Sequence, residues 1–214
     1  MCSDALPGFL LLTEISVVVT NYNYGRYLSR CLRSLLAQDI DKELYEIVLV
    51  DDGSTDESLK IANRFEKQIK IFRNITNKGL SNASNLGIDK SCGRFIVRVD
   101  SDDFVHSSFL RILLLGFELL GRNFHALSVD YQKVDELGNV LSYGDAELEP
   151  IACGLAFKSD ALMALGFYNT NLRINEEVDL RRRFTEANFE VKYIKLPLYR
   201  YVQHDQSLTK QVLN

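Results

Sequence analysis

The sequence predicts one α/β domain with a mainly parallel sheet flanked by helices and a smaller antiparallel part in its second half. The first observation is a pair of β-branched, apolar runs at residues 15–20 and 46–50, typical of strands buried on both faces. The second is the helical spacing of apolar residues between such runs. The third is the length of 214 residues, which suits one well-buried domain better than two.

Strands and helices alternate through the first half of the chain. Strands are predicted at residues 15–20, 46–50, 71–75 and 95–99, and helices at residues 27–36, 59–65 and 80–90. Ser54 and Glu57 form a capping box ahead of the second helix, with Asp56 as a further cap. Repeated strand–helix units with short turns imply right-handed crossovers and a mainly parallel sheet.

The pattern changes after Asp103. A hairpin is predicted at residues 126–134 and 140–143, joined by the turn residues DELGN. A strand at 151–157, helices at about 159–165 and 175–188, and a final strand pair around Tyr193 and Tyr201 complete the chain. No linker divides the two halves, so the second part is expected to complete a site that begins in the first.

Composition and charge exclude several classes of protein. The net charge of −4 argues against a nucleic-acid partner, because such proteins usually present a basic face. The run Arg181, Arg182 and Arg183 is interpreted as a solvated helix face. The apolar segment 109–120 is too short to cross a bilayer and predicts a core helix, with docking on a membrane surface as the alternative.

The cysteines and the N-terminal residues indicate a reducing compartment. The four cysteines are Cys2, Cys31, Cys92 and Cys153. They have no short paired spacing, so neither a zinc site nor a disulfide framework is predicted, and all four are expected to be reduced thiols. The segment PGFLLLTE is interrupted by Glu14 and does not resemble a secretory signal. A cytoplasmic location is therefore expected.

Polar clusters follow three of the predicted buried strands. They are TNYN (20–23), DDGSTD (51–56) and DSDD (100–103). In an open parallel sheet, ligands bind beyond the carboxyl ends of the strands, so these clusters are expected to converge. Extended geometry places Asp100 and Asp102 on the same side, where their oxygens suit Mg²⁺ or Mn²⁺ with substrate phosphates as further ligands. The alternative for Asp103 is a helix cap.

An ordered set of motifs carries a family resemblance. The segments are VVVTNYNYGRYLSRCLRSLLAQ, EIVLVDDGSTDES, NKGLSNASNLGIDKSCGRFIVRVDSDD, GLAFKSDALMALGF, NEEVDLRRRF and YRYVQHDQSLT. In this order they resemble the motifs of family 2 glycosyltransferases with the GT-A fold. The resemblance implies inverting, Mn²⁺- or Mg²⁺-dependent transfer of a sugar from a nucleoside-diphosphate donor to a hydroxyl of a glycan or lipid-linked acceptor. It also implies one domain, 1–214, with a nucleotide-binding half (1–104) and an acceptor-binding half (105–214).

The resemblance assigns four residues to the nucleoside. Thr20 and Tyr22 match positions that hold the nucleobase, Tyr22 by stacking; its alternative is a packed loop aromatic. Asp52 matches the carboxylate that accepts the imide N–H of the base, which favours uracil or thymine and hence a UDP-sugar. The alternative for Asp52 is a turn residue before Gly53. The preceding residue, Asp51, is interpreted as structural. Asp100 matches the residue near the ribose.

The resemblance also assigns the metal ligands. Asp102 matches the ligand to the metal, and Asp103 is the second candidate. His204, in HDQS, matches a histidine that reaches the metal or the diphosphate. A lone histidine is more often structural, so both roles remain open for His204.

The general base is expected from the segment NEEVDL. Glu177 takes the position where the family usually has Asp, directly after Glu176; two acids that only complement a helix dipole are the alternative. Asp179 is interpreted as an ion-pair partner of Arg183, four residues later. Ser84 stands where many relatives have Arg, so a donor contact is expected to be absent.

Three other functional classes are alternatives to a glycosyltransferase. A dinucleotide-dependent dehydrogenase would need Gly-x-Gly-x-x-Gly after the first strand, and TNYNYGR has one glycine. A sugar nucleotidyltransferase would need a glycine-rich loop there and is the enzymatic alternative. A degenerate member that binds a nucleotide sugar without turnover is the non-enzymatic alternative, favoured by Ser84 and Glu177.

Several properties are left open by the sequence. The absence of Trp and of membrane-spanning segments argues against a processive polysaccharide synthase. A role in surface polysaccharide biosynthesis is a family-level expectation. The inner face of the membrane, through peripheral association, is the second expected location. The sugar, the acceptor and the oligomeric state are not predicted.

Overall fold

The described residues form one mixed, nine-stranded sheet with helices on both faces. The structure is a computed structural model that describes residues 13–121, 123–172 and 175–205. The strands are β1 (Ile15–Asn21), β2 (Tyr45–Asp51), β3 (Lys70–Arg73), β4 (Phe95–Asp100), β5 (Phe104–Val105), β6 (Ala126–Val134), β7 (Val140–Gly144), β8 (Leu155–Lys158) and β9 (Val191–Val202). The helices are α1 (Gly25–Leu36), α2 (Ser58–Ala62), α3 (Leu80–Asp89), α4 (Phe109–Leu119), α5 (Ser159–Leu165) and α6 (Glu176–Glu186).

The first half is the predicted parallel sheet. Strands β3, β2, β1 and β4 lie side by side in that order, and each neighbouring pair is parallel. Successive side chains of β1 point to opposite faces. Val17 and Val19 belong to the core that contains α1 and α4, whereas Val18 belongs to the core that contains α5 and α6. The burial of β1 on both faces explains its uninterrupted run of β-branched residues.

The second half is largely antiparallel, with two corrections to the prediction. The hairpin of β6 and β7 is confirmed. The predicted final strand pair is instead one continuous strand, β9, which runs parallel to β6. Pro197 lies within β9 opposite Asp130, beside a register shift, where a residue without an N–H is tolerated. Strand β8 begins later than predicted because Gly154 has a left-handed backbone (φ +75°) just before it.

Helix α2 begins differently from the prediction. The capping box is wrong, since α2 begins at Ser58 and the Ser54 hydroxyl accepts a hydrogen bond from the Asn23 amide (2.9 Å). Asp56 supplies the local contact, because its Oδ1 accepts the Ser58 N–H at 2.9 Å. Ser54 therefore connects the loop after β2 to the loop after β1.

The apolar segment after Asp103 is the predicted core helix. Phe109, Leu110 and Leu113 of α4 are fully buried. In the parts of the chain that the structure describes, every helix is too short or too polar to cross a membrane.

The arginine run and the cysteines depart in part from expectation. Only Arg182 of the run is solvated, because Arg183 donates hydrogen bonds to backbone carbonyls and the Arg181 guanidinium contacts the Ile151 carbonyl. Cys31 and Cys153 are free, buried thiols, as predicted. Cys92 is disulfide-bonded, so the expectation of four reduced thiols is wrong. Sequence spacing alone does not exclude a disulfide, because the bond depends on distances in the folded chain.

Candidate active site

The three predicted polar clusters converge at one edge of the sheet. Strands β2, β1 and β4 are neighbours and end together, with Asn21 opposite Asp51 and Thr20 opposite Asp100. The carboxyl ends of all three strands therefore open onto the same space, which is where α/β sheets bind ligands.

The ends of β1 and β2 are tied together by side chains. The Asn21 side-chain amide donates to Asp51 Oδ1 (3.0 Å) and to the Ser54 hydroxyl (3.1 Å). The Ser54 amide donates to Asp51 Oδ2 at 3.1 Å. Asp51 is thus a structural carboxylate, as interpreted from the sequence, and it holds the two loops in register.

The two predicted base-binding residues of β1 differ in accessibility. Thr20 is buried, whereas Tyr22 is 43% exposed. An exposed ring beside the strand ends presents a face on which a planar base can stack. This placement is compatible with the predicted stacking role of Tyr22.

Asp52 is enclosed by hydrogen bonds from the protein. Oδ1 accepts the side-chain amide of Asn74 (2.7 Å) and the amide of Lys78 (3.0 Å), and Oδ2 accepts the amide of Gly79 (2.8 Å). These contacts hold the loop that leads into α3. A carboxylate has about four acceptor positions, and three donors already occupy those of Asp52. The imide N–H of a base would therefore have to bind an oxygen that already accepts a hydrogen bond from the protein.

The three carboxylates of DSDD take three different partners. Asp102 Oδ2 lies 2.9 Å from His204 Nε2. Asp103 is buried, with Oδ2 accepting the Tyr199 hydroxyl (2.7 Å) and Oδ1 accepting the Val202 amide (2.8 Å). Burial raises the pKa of both Asp100 and Asp103. Both oxygens of Asp103 therefore already accept a hydrogen bond from β9, so a metal bound to Asp103 would have to share one of them.

His204 is held in a fixed orientation by aromatic residues. Its ring stacks on Tyr27 with centroids 4.6 Å apart and meets Tyr24 edge-on at 5.6 Å. The Tyr27 hydroxyl donates to Glu136 Oε1 at 2.5 Å. His204 Nδ1 has no hydrogen-bond partner among the described residues. Ser207, the last residue of the HDQS motif, lies outside the described residues.

These residues fit a divalent cation that takes only some ligands from the protein. Within the described ranges, no group of three or more His, Cys, Asp and Glu side chains forms a complete metal site. Asp102 and His204 are adjacent, however, and His204 Nδ1 and Asp100 Oδ1 are buried without a hydrogen-bond partner among the described residues, although Asp100 Oδ1 lies 3.4 Å from Arg98 Nε. Mg²⁺-type sites commonly use one or two carboxylates and complete their coordination with substrate phosphates and water.

The two acids at the start of α6 have different surroundings. Glu176 is buried, and its Oε1 lies 3.6 Å from Nη1 of Arg98. Burial raises the pKa of Glu176, although the Arg98 charge opposes this shift. Glu177 is only partly buried and so is the more accessible acid. The predicted ion pair of Asp179 is confirmed, since Arg183 Nε donates to its Oδ2 at 2.8 Å.

Sequence reasoning missed Arg98. The signal in the sequence is the charge of Arg98 inside the otherwise apolar strand FIVRVD. The strand prediction used only the apolar residues of this segment. Its side chain lines a small cavity with Ser84 and Tyr168. The Ser84 hydroxyl is buried and has no hydrogen-bond partner in the described part of the chain.

Tyr199 should contribute measurably to stability through Asp103. Its hydroxyl also accepts the Asp100 amide at 3.2 Å, so Tyr199→Phe leaves two buried polar groups without this partner. We expect a loss of about 1–3 kcal/mol in the free energy of unfolding, measured by urea denaturation. Tyr143→Phe, at an exposed tyrosine, is the matched control and should have little effect. Equal stabilities of the two variants would contradict the brace assigned to Tyr199.

The chain is similar to known glycosyltransferases. It matches the family described as Glycosyl transferase family 2 over residues 16–194. It is 33% identical over 142 residues to Glycosyltransferase GlyG of Streptococcus pneumoniae serotype 4, covering 62% of this chain and 41% of GlyG. It is 34% identical over 103 residues to poly(ribitol-phosphate) beta-N-acetylglucosaminyltransferase TarS of Staphylococcus aureus, covering 47% of this chain and 18% of TarS. The chain therefore spans less than half the length of these two relatives.

Solved structures share the fold at lower sequence identity. TarS residues 1–349 in complex with UDP superpose with a TM-score of 0.77 at 21% identity, covering 89% of this chain and 60% of that one. The mannosyltransferase PcManGT from Pyrobaculum calidifontis, in complex with GDP-Man and Mn²⁺, has a TM-score of 0.70 at 17% identity, covering 94% of this chain and 59% of that one. The fold is therefore GT-A, and because the family match extends over most of its length, this chain belongs to glycosyltransferase family 2.

Proposed function

We propose that this domain transfers a sugar from a UDP-linked donor to a hydroxyl of a glycan or lipid-linked acceptor, with inversion at the anomeric carbon. The observation that carries the proposal is the convergence at one sheet edge of the ends of β1, β2 and β4. The same edge holds the Asp102–His204 pair. The names of TarS and its UDP complex support a UDP-sugar and a role in surface polysaccharide biosynthesis.

The donor side of the site would hold the nucleotide and its diphosphate. Tyr22 stacks on the base and Asp100 lies near the ribose. Asp102 and His204 would hold Mn²⁺ or Mg²⁺, which when bound neutralises charge on the diphosphate. His204 Nε2 would exchange its contact with Asp102 Oδ2 for the metal, and the stacking of its ring on Tyr27 fixes the ring orientation before the donor arrives.

The acceptor side would supply proton transfer. Breaking the anomeric C–O bond leaves positive charge on the sugar, as in other oxocarbenium-like glycosyl transfers. The incoming hydroxyl attacks the opposite face and must lose its proton to a general base. Glu177 carries that role because it is the accessible acid of the pair that begins α6. The buried Glu176 beside Arg98 is less able to contact an acceptor.

UDP should bind better than GDP or ADP. Asp52 and Tyr22 together favour a pyrimidine with an imide N–H, and binding to the native state raises its apparent stability by mass action. We expect a larger thermal shift with UDP than with GDP or ADP at equal concentration in the presence of Mn²⁺. The GDP-Man complex of PcManGT makes GDP the informative competitor. A larger shift with GDP would show that the hydrogen bonds already made by Asp52 prevent it from selecting the base.

The activity itself is tested by release of nucleoside diphosphate. The protein is incubated with Mn²⁺ and a panel of UDP-, TDP- and GDP-sugars, with and without candidate glycan acceptors. Release from a UDP-sugar that increases with acceptor supports a transferase. Binding of UDP without release from any donor would favour a degenerate binding protein, and formation of a nucleotide sugar from a nucleoside triphosphate and a sugar phosphate would indicate a nucleotidyltransferase.

A further inference from the structure

A buried arginine, Arg98, lies between the donor side and the acceptor side of the site. It occupies the interior of β4, two residues before Asp100, and its side chain is only 5% exposed. Alternation along the strand places Arg98 and Asp100 on the same face. A buried guanidinium is costly unless it has charged partners and hydrogen bonds, so its surroundings must offset that cost.

Those surroundings are two carboxylates from different parts of the chain. Arg98 Nε lies 3.4 Å from Asp100 Oδ1, and Nη1 lies 3.6 Å from Glu176 Oε1. The guanidinium also lies 5.4 Å from the centre of the Tyr168 ring. Nε and Nη1 make no hydrogen bond within the described residues, and neither does Asp100 Oδ1. Charge, rather than hydrogen bonding, therefore holds Arg98 to both acids.

The two acids belong to opposite sides of the proposed reaction. Asp100 ends β4 at the edge where the nucleotide is proposed to bind. Glu176 begins α6 and directly precedes Glu177. Without the guanidinium, the buried carboxylate of Glu176 and the partly buried carboxylate of Asp100 would lose their shared cation, and the charged form of each would be destabilised. The start of α6 would then lose its charged attachment to the sheet.

We propose that Arg98 is a positioning residue. It attaches the start of α6 to the end of β4, where the donor is proposed to bind, and thereby sets the position of Glu177 relative to the bound sugar. This inference rests on the proposed function. Arg98 acts through Glu176 and does not contact the reacting atoms. A misplacement of a base by about 1 Å can cost about 10²-fold in rate, so the link has a kinetic signature.

The test compares Arg98→Met, Arg98→Lys, Glu176→Gln and the double variant Arg98→Met/Glu176→Gln. Release of UDP from a UDP-sugar gives kcat and KM, and calorimetry gives the UDP dissociation constant. We expect Arg98→Met to lower kcat by about 10²-fold and to weaken UDP binding, through Asp100, by a much smaller factor. Arg98→Lys should restore part of the loss, because it keeps the charge but not the planar fork. The double variant should be no slower than the slower single variant, because both changes remove one link.

Arg183→Met is the matched control. Arg183 also anchors α6, through the carbonyls of Leu165 (2.6 Å) and Phe167 (2.7 Å) and through Asp179, but it lies near the opposite end of the helix. It should lower the melting temperature without a comparable loss of kcat. If the role of Arg98 were purely structural, the loss of kcat in Arg98→Met and in Arg183→Met would instead be proportionate to the loss of melting temperature in each variant.

Three results would overturn the proposal: unchanged kcat in Arg98→Met, multiplicative effects in the double variant, or an equal loss of kcat in Arg183→Met. If circular dichroism shows that Arg98→Met does not fold, Arg98→Lys and Glu176→Gln carry the test, and unchanged kcat in both would overturn it. Absence of UDP release by the unmodified protein would instead contradict the proposed function. The two failures are therefore distinguishable.

Discussion

Asp102→Asn is expected to abolish sugar transfer and the Mn²⁺-dependent part of UDP binding while leaving the fold intact. The substitution keeps the size of the side chain and can keep a hydrogen bond to His204, but it removes the charge that a divalent cation requires. Metal neutralisation of a leaving phosphate is worth several kcal/mol, so the loss should be at least about a hundredfold in kcat. Calorimetric titration with UDP, with Mn²⁺ and then with EDTA, measures the binding part.

Asp145→Asn is the matched control, because it makes the same Asp-to-Asn change as Asp102→Asn at a different place. Asp145 is ion-paired with Lys195 in a different part of the chain, so its loss should affect neither metal-dependent binding nor transfer. Circular dichroism shows whether both variants keep the fold. Undiminished metal-dependent UDP affinity in Asp102→Asn would refute the assignment of Asp102 as a metal ligand.

Glu177→Gln should lower transfer by about 10²–10⁴-fold with UDP affinity little changed, because it removes a general base and keeps size and hydrogen bonding. The chemical step is measured in a single turnover with donor bound in advance. Glu177→Asp is expected to retain activity, since a shorter carboxylate can still accept the proton and is the usual residue of the family at this position.

Glu186→Gln is the control within the same helix. Glu186 is exposed near the end of α6 and pairs with Arg182, so its substitution should leave transfer unchanged. If Glu177→Gln keeps near-normal transfer while Glu176→Gln or Asp179→Asn loses it, the base has been assigned to the wrong carboxylate. The hydrogen bonds of Asp179 to Arg182 and Arg183 make that residue the least available of the three.

The parallel half of the fold could be predicted from the sequence because its signals are local. Strands buried on both faces require uninterrupted β-branched runs, and β1 and β2 show them. The convergence of their polar ends then follows from parallel topology alone. The continuous β9 could not be predicted in the same way. Its pairing with β6 spans a register shift that depends on tertiary contacts and is not encoded by period-two alternation.

The individual roles of the acids were harder to predict for the same reason. Asp102 and Asp103 are adjacent in sequence, but one faces His204 and the other faces Tyr199, both contributed by the distant C-terminal part of the chain. The hydrogen bonds on Asp52 come from Asn74 and the loop before α3. Arg98 was missed because its partner Glu176 is far away in sequence. Long-range contacts decide which acid is free to meet a ligand.

We expect transfer to be a single displacement, with the diphosphate near Asp102 and the attacking hydroxyl near Glu177. The anomeric configuration of the first-formed product distinguishes a single displacement from a mechanism that retains configuration. Proton NMR spectra are recorded at early times during transfer from a UDP-α-linked sugar, to an acceptor or to water, before the anomers of a free sugar interconvert. A single displacement gives a product of β configuration. A product that retains the α configuration would contradict it, because retention requires a second displacement or attack from the same face as the leaving diphosphate.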